Sequence, residues 1–162
     1  MYQFRVTTPH DDADVKRALL EPRNRFYNFG VNDFQGEPED WTPTEHPSIV
    51  ATRCSCGRRL LGFIFLFRKT EAIAEAHMAF LPTAYGEVRD ITRRFLNWVH
   101  GEIIWLREIV APCCTDNAKA LACLLGIGFK PTYVESGAWA DPEGNLHDFQ
   151  WLSYKWGSTC PE

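Results

Sequence analysis

Glu75-Ala76-His77-Met78-Ala79-Phe80-Leu81-Pro82, running on through Tyr85-Gly86 into the helical pattern of residues 86–100, is the stretch that decides the fold. Residues 70–81 alternate weakly and read as a strand that stops at Pro82, which has no N–H to give a ladder. In residues 86–100, Val88, Ile91, Phe95, Trp98 and Val99 fall on one face of a helix. Residues 102–111 read as a further strand ending at Pro112. A helix between two strands is the connection that parallel pairing requires. The prediction is therefore that residues 75–80 and 107–111 lie side by side and parallel, with the two prolines marking where pairing stops. Within the first strand Glu75 and His77 share a face, because side chains two apart in a strand do.

Outward from this unit, Tyr2–Val6 reads as a short strand, and Thr8 or Asp11 caps a helix running to Leu20. Residues 21–47 lose regular periodicity and mix Phe26, Tyr27, Phe29, Phe34 and Trp41 with glycines and prolines, which predicts an irregular flap: a loop over a core edge or a substrate lid. Residues 48–54 and 60–68 follow as strands joined by a turn at Ser55-Cys56-Gly57-Arg58. The second of these is apolar at nearly every position from Leu60 to Phe67, so both its faces should be covered. Thr115 is placed to cap a helix over residues 116–125 that Gly126 and Gly128 close. Residues 130–140 and 146–156 make a hairpin around Asp141-Pro142-Glu143-Gly144-Asn145, and 157–162 a flexible tail. The order is β-α-flap-β-β-β-α-β-α-β-β, an α/β chain of the α+β type with helices covering a mixed sheet.

The 162 residues suit a single domain, 1–162. Apolar residues at 45% and aromatics at 14% exclude a disordered chain. A formal net charge of -4 has no broad basic surplus and argues against nucleic acid as a partner. The longest apolar run, residues 60–67, is too short to span a bilayer, and Met1-Tyr2-Gln3-Phe4-Arg5 lacks the layout of a signal peptide. The expectation is a soluble, cytoplasmic protein. Six cysteines invite a metal, but Cys54 and Cys56 flank one residue and Cys113 and Cys114 are adjacent, so neither pair has the two-residue gap of a zinc turn. No metal is expected, and a zinc module on Cys54 and Cys56 would want a second ligand pair.

Two motifs carry a resemblance. Asn117-Ala118-Lys119-Ala120 followed by Leu125-Gly126-Ile127-Gly128-Phe129, and Glu75 to Pro82 with Tyr85-Gly86 beyond, resemble segments of the GNAT N-acetyltransferases. The match covers roughly residues 49–156. It implies a GNAT-like fold, a mixed central sheet with helices on both faces, and a central strand that splays from its neighbour. It also implies acetyl-CoA as co-substrate and an amine acceptor, on a protein or a small molecule. The Glu-x-His strand, the helix bearing Trp98 and the Asp-Pro-Glu-Gly hairpin are most similar to a branch common in tailed-phage genomes. That branch implies the host cytoplasm and a phage or host protein as partner.

Carried over by position, the resemblance implies that Phe80 and Leu81 offer backbone groups to the pantetheine arm and that Gly86, Glu87, Val88 and Arg89 form the phosphate loop. Asn117 binds the cofactor or a strand carbonyl, or merely helps to cap its helix. Glu75 and His77 are the candidate bases, an imidazole being suited to proton transfer near neutrality; the alternative is a hydrogen-bonded pair beside the splayed strands. Two departures stand out. Tyr85, Val88 and Asp90 replace the Gln/Arg and small residues of the family's loop, and the acidic pair Glu87 and Asp90 stands where phosphates would approach, so acetyl-CoA binding is expected to be weak. Leu124 occupies the position at which many of these enzymes have a tyrosine able to protonate the leaving thiolate. Both departures favour an alternative function, a non-catalytic phage protein that keeps the scaffold as a binding or virion-associated module. Cys113 and Cys114 lie at a strand end facing the same cleft, where a nucleophilic cysteine would need a neighbouring base. Trp139, Trp151 and Trp156 on the last hairpin suit either a core or a homodimer surface.

Overall fold

The uninterrupted apolar run of residues 60–67 becomes the centre of a sheet covered on both faces. A computed structural model describes residues 1–28, 48–141 and 144–157. Its elements are β1 (Tyr2–Val6), a 3₁₀ turn (Pro9–Asp11), α1 (Asp12–Leu19), α2 (Pro22–Asn28), β2 (Ile49–Cys56), β3 (Arg59–Arg68) and β4 (Ile73–Phe80). There follow a second 3₁₀ turn (Pro82–Ala84), α3 (Val88–Glu102), β5 (Glu108–Cys114), α4 (Ala118–Gly126), β6 (Lys130–Ala140) and β7 (Leu146–Lys155). The strands form one seven-stranded sheet in the order β1-β2-β3-β4-β5-β7-β6.

Every residue of β3 from Leu60 to Phe67 is buried. Leu61, Ile64 and Leu66 pack with Ile91, Phe95, Leu96 and Val99 of α3, while Phe63, Phe65 and Phe67 pack with Val15, Ala18 and Leu19 of α1 on the other face. Burying such side chains stabilises the fold by roughly 1.5–3 kcal/mol each. The expected mixed sheet with helices on both faces is what forms.

β4 and β5 are adjacent and parallel, as the helix between them predicts. Their ladder holds only Ile73 to Glu75 against Glu108 to Val110, so the strands part toward their C-terminal ends. β5 nonetheless continues through Pro112 to Cys114 on β7, later than the sequence suggested. Proline is tolerated there for a geometric reason. The carbonyl of Trp151, its partner on β7, accepts a hydrogen bond from Thr132 on β6. Pro112 thus sits in a non-hydrogen-bonded pair, and its nitrogen faces the side from which β4 has withdrawn. Gly62 serves the same opening from the other flank. It adopts φ +150° opposite Phe80, and a Cβ there would lie 2.4 Å from the Ala79 carbonyl oxygen. Only glycine lets the two backbones approach so closely.

Pro22–Asn28 is helical, although residues 21–47 were expected to be irregular. Pro22 stands at the first helical position, where its missing N–H costs nothing, and the Glu21 carboxylate accepts from the N–H groups of Arg23 and Asn24 at 3.1 and 3.2 Å. The rest of the expected flap, 29–47, and the tail, 158–162, lie outside the described residues. Among the described residues no helix is long and apolar enough to cross a membrane.

Candidate active site

Where β4 and β5 part, a cleft opens between them, walled by α2 on one face and by α3 and α4 on the other. Beyond Glu75, residues 76–80 of β4 have no strand partner on the β5 side, so the cleft has a backbone edge along one wall. Its inner end is a cavity of about 120 Å³ that includes His77, Pro112, Cys113, Cys114 and Asn117 in its lining. Its outer end, of about 390 Å³, reaches Phe80, Tyr85, Gly86, Val88 and Arg89. Arg23, Asn24, Met78, Asn117 and Ala120 line both, which makes them one continuous space.

Glu75 and His77 project from the face of β4 opposite α3. His77 lies against the Phe67 ring, and the α3 side of the strand is taken by Ala74, Ala76 and Phe80. Both are almost fully buried, at 1% and 5% exposure. His77 Nε2 lies 2.6 Å from Glu75 Oε1, and Lys69 Nζ lies 3.0 Å from Glu75 Oε2. Burial pushes the Glu75 carboxyl up, but its hydrogen bond to His77 and the nearby Lys69 ammonium outweigh this and hold it below the usual carboxylate range. His77 is the single imidazole or carboxylate among the described residues lining the inner cavity. The sequence placed this pair correctly on one face, and the structure puts His77 in contact with the cleft.

The predicted loop residues divide. Gly86, Val88 and Arg89 line the outer cleft. Glu87 does not: its carboxylate accepts from the Tyr2 hydroxyl at 2.7 Å and pairs with Arg59, and its N–H is donated to the Ala84 carbonyl. Asp90 pairs with Arg94 at 3.3 Å. The acidic pair expected to repel phosphates is thereby engaged elsewhere, Glu87 by Tyr2 of β1 and Arg59 of β3, and Asp90 by Arg94 one turn further along α3. The described lining of the outer cleft contains three cations, Arg23, Arg89 and Lys119, and no carboxylate. No side chain caps the first turn of α3. Arg89 donates to the Gly126 carbonyl at 2.7 Å, which fixes its guanidinium between α3 and α4.

Phe80 and Leu81 also differ from expectation. The Phe80 side chain lines the outer cleft, but its carbonyl already accepts from Asn24 Nδ2 at 2.9 Å. Leu81 donates its N–H to the Leu61 carbonyl and packs on the α1 side, away from the cleft. The local reason is the Gly62 approach, which draws the end of β4 onto β3. Asn117, not Thr115, caps α4: its Oδ1 accepts from the Ala120 N–H at 3.3 Å and also from Arg23 Nη2 at 3.4 Å. Thr115 is held instead by β7, through the Asp148 carbonyl. Burial, with a smaller contribution from Cys114 and Cys123, pushes the Cys113 thiol up to about 12, and burial raises Cys114 as well. Neither is poised as a thiolate nucleophile. Leu124 is buried in the core and does not line the cleft.

Sequence reasoning missed Arg23 and Asn24, which bring α2 to the cleft. Asn24 is buried and ties the α1 carbonyl of Ala18 to that of Phe80. The Glu21-Pro22 start signal would have revealed the helix, but nothing local shows that it crosses the end of β4.

No protein-family model matches the chain, and no curated protein does. Solved structures match it closely in shape. Spermidine N-acetyltransferase from Vibrio cholerae, solved in complex with CoA and spermine, superposes with a TM-score of 0.78 over 95% of each chain at 15% identity. Arabidopsis thaliana NAA60 in complex with a bisubstrate analogue gives 0.73 over 98% of this chain and 100% of that one at 14% identity. Ribosomal-protein-S5-alanine acetyltransferase from Vibrio fischeri gives 0.72 over 99% and 96% at 14% identity. At these identities the likeness is one of fold.

Proposed function

We propose that this chain, which shares the GNAT fold, is an N-acetyltransferase that moves the acetyl group of acetyl-CoA to an amine on a protein or small molecule. The observation that carries the reading is the cleft itself: cations and an uncapped helix start at its outer end, an open strand edge along it, and the His77–Glu75 pair at its inner end. The outer cations and the N–H groups opening α3 suit the pyrophosphate of the co-substrate. The unpartnered edge of β4 suits the amides of its pantetheine arm. At the inner end, His77 takes a proton from the acceptor ammonium, directly or through water, while ionised Glu75 orients the imidazole and stabilises it once charged. The freed amine attacks the thioester carbonyl carbon, the C–N bond forms, the C–S bond breaks, the nitrogen sheds its second proton, and the departing thiolate takes up a proton, so that a neutral amide and a free thiol result. Similarity to the tailed-phage branch makes a bacterial cytoplasm, the host's if the gene is a phage's, the compartment we favour.

The test is thiol release from acetyl-CoA in the presence of peptides with free N-termini, lysine peptides and polyamines, with the acetylated product identified by mass spectrometry. Turnover with any of these that falls in a His77→Gln variant supports the reading; binding of acetyl-CoA without turnover on any acceptor would sink it. Binding without turnover favours a second reading, a non-catalytic binding or virion-associated module. Two observations support that alternative: the Phe80 carbonyl is already engaged by Asn24, and Leu124 puts no proton donor into the cleft. Binding alone is measured by thermal shift, since ligand at a hundred times its Kd adds about 2.7 kcal/mol of stability.

A further inference from the structure

We propose that Cys114, Asp116 and His147 form a binding site for a divalent transition-metal ion of the zinc class, beside the inner end of the cleft. The three come from different elements. Cys114 is the last residue of β5, Asp116 lies in the connection to α4, and His147 is the second residue of β7. One donor atom from each lies within 4.8 Å of the others, close enough for one ion to touch all three. Sulfur, imidazole nitrogen and carboxylate oxygen together are the donor set that zinc accepts, and hard cations such as magnesium or calcium do not.

The surroundings of His147 supply a second, independent observation. Its Nε2 lies 3.1 Å from Asp141 Oδ2, and Asp141 is itself held by the Asn145 N–H at 2.8 Å and the Asn145 side-chain amide at 2.9 Å. A buried carboxylate behind the far ring nitrogen is how proteins fix the tautomer and orientation of a ligating histidine. With Asp141 behind Nε2, ring atom Nδ1 faces the cluster, 2.6 Å from Asp116 Oδ2. A proton holds this contact; a metal ion binding to Nδ1 and Oδ2, at about 2.0–2.2 Å from each, displaces that proton and parts the two atoms. Cys114 Sγ adjoins both, within the same 4.8 Å. The Trp139 ring lies 4.7 Å from the His147 ring and, with Phe149, packs against Cys114 to shield one side.

Three protein ligands leave a fourth position open, as in sites where an ion meets an exogenous ligand. Cys114 also lines the inner cavity with His77, so the site adjoins the proposed acceptor end. The site stands independently of acyl transfer, and its test needs no acetyl-CoA.

The experiment is titration of the metal-free chain with cobalt(II), followed by zinc competition against a chromophoric chelator. The expected result is one ion per chain, with a near-ultraviolet thiolate-to-cobalt band that zinc abolishes. Cys114→Ser removes that band, Asp116→Asn and His147→Gln weaken zinc binding, and Asp141→Asn weakens it by about 10–100-fold. A Cys54→Ser, Cys56→Ser variant binds as the unmodified chain does. Circular dichroism checks folding; should Cys114→Ser misfold, the exposed Asp116→Asn substitution decides. Absence of a thiolate band in the unmodified chain overturns the proposal in favour of a proton-bridged Asp–His–Asp clamp. A band that survives at Cys114→Ser, or affinity indifferent to both Asp116→Asn and His147→Gln, overturns it equally.

Discussion

At its inner end the cleft is lined by the His77 imidazole, backed by the Glu75 carboxylate, both almost wholly removed from water, whereas at its outer end Arg89 and Lys119 stand in solvent with Arg23 half-buried behind them. The inner pair is held by the short contact between its own members and by Lys69, so its geometry is set before any substrate arrives. The outer cations are screened by water and salt, and each contributes little. Chemistry should therefore depend on the inner end and affinity on the sum of the outer one.

The largest effect that would break this division lies at His77. His77→Gln is expected to lower kcat by about 10²–10⁴-fold while leaving the Kd for acetyl-CoA within about threefold, because the residue acts on the proton and not on the phosphates. Parallel kinetics and calorimetry check this; a raised Kd with unchanged kcat would reverse the roles of the two ends. Next is Gly62→Ala, which places a methyl against the Ala79 carbonyl at a φ that L-residues avoid. It should destabilise the fold by about 2–4 kcal/mol in urea denaturation. A neutral result would mean that the opening of β4 does not depend on its close approach to β3.

Asp11 sharpens the comparison as a buried carboxylate that, unlike Glu75, lies far from the cleft. Its carboxylate pairs with Arg5 at 2.7 Å and Arg53 at 3.0 Å, and the Arg5 hydrogen bond, against the opposing effect of burial, holds it well below the usual carboxylate range. Since the folded value is depressed, the stabilisation is complete above the unfolded value, about 3.9, and is lost as pH falls from there toward the folded one. Asp11→Asn should cost about 1.5–3 kcal/mol at neutral pH and flatten the loss of stability below about pH 4, measured by denaturation across pH. Smallest is Arg89→Ala at the outer end. It should raise the KM for acetyl-CoA about 2–5-fold with kcat unchanged, and the difference should shrink as ionic strength rises.

Much of this was legible in the chain. The apolar run of residues 60–67 demanded a strand covered on both faces, and residues 75–111 demanded a strand, a crossover helix and a parallel strand, since hydrophobic period and proline placement act over a few neighbours. The shared face of Glu75 and His77 followed from strand periodicity alone. Tertiary structure decided where charges went. Glu87 and Asp90 are neighbours of the cleft in sequence, but their carboxylates are claimed by Tyr2, Arg59 and Arg94, and Tyr2 is 85 residues away from Glu87 along the chain. Arg23 and Asn24 reach the cleft because α2 packs across the end of β4, a contact between elements more than fifty residues apart. The cluster of Cys114, Asp116 and His147 was hidden for the same reason: the spacing of the cysteines along the chain argues against a metal, and only the pairing of β5 with β7 carries a histidine to them. Local pattern specifies which segments form strands and helices, because that depends on nearby side chains; a long side chain finds its partner only once the packed elements have brought distant residues within a few ångströms.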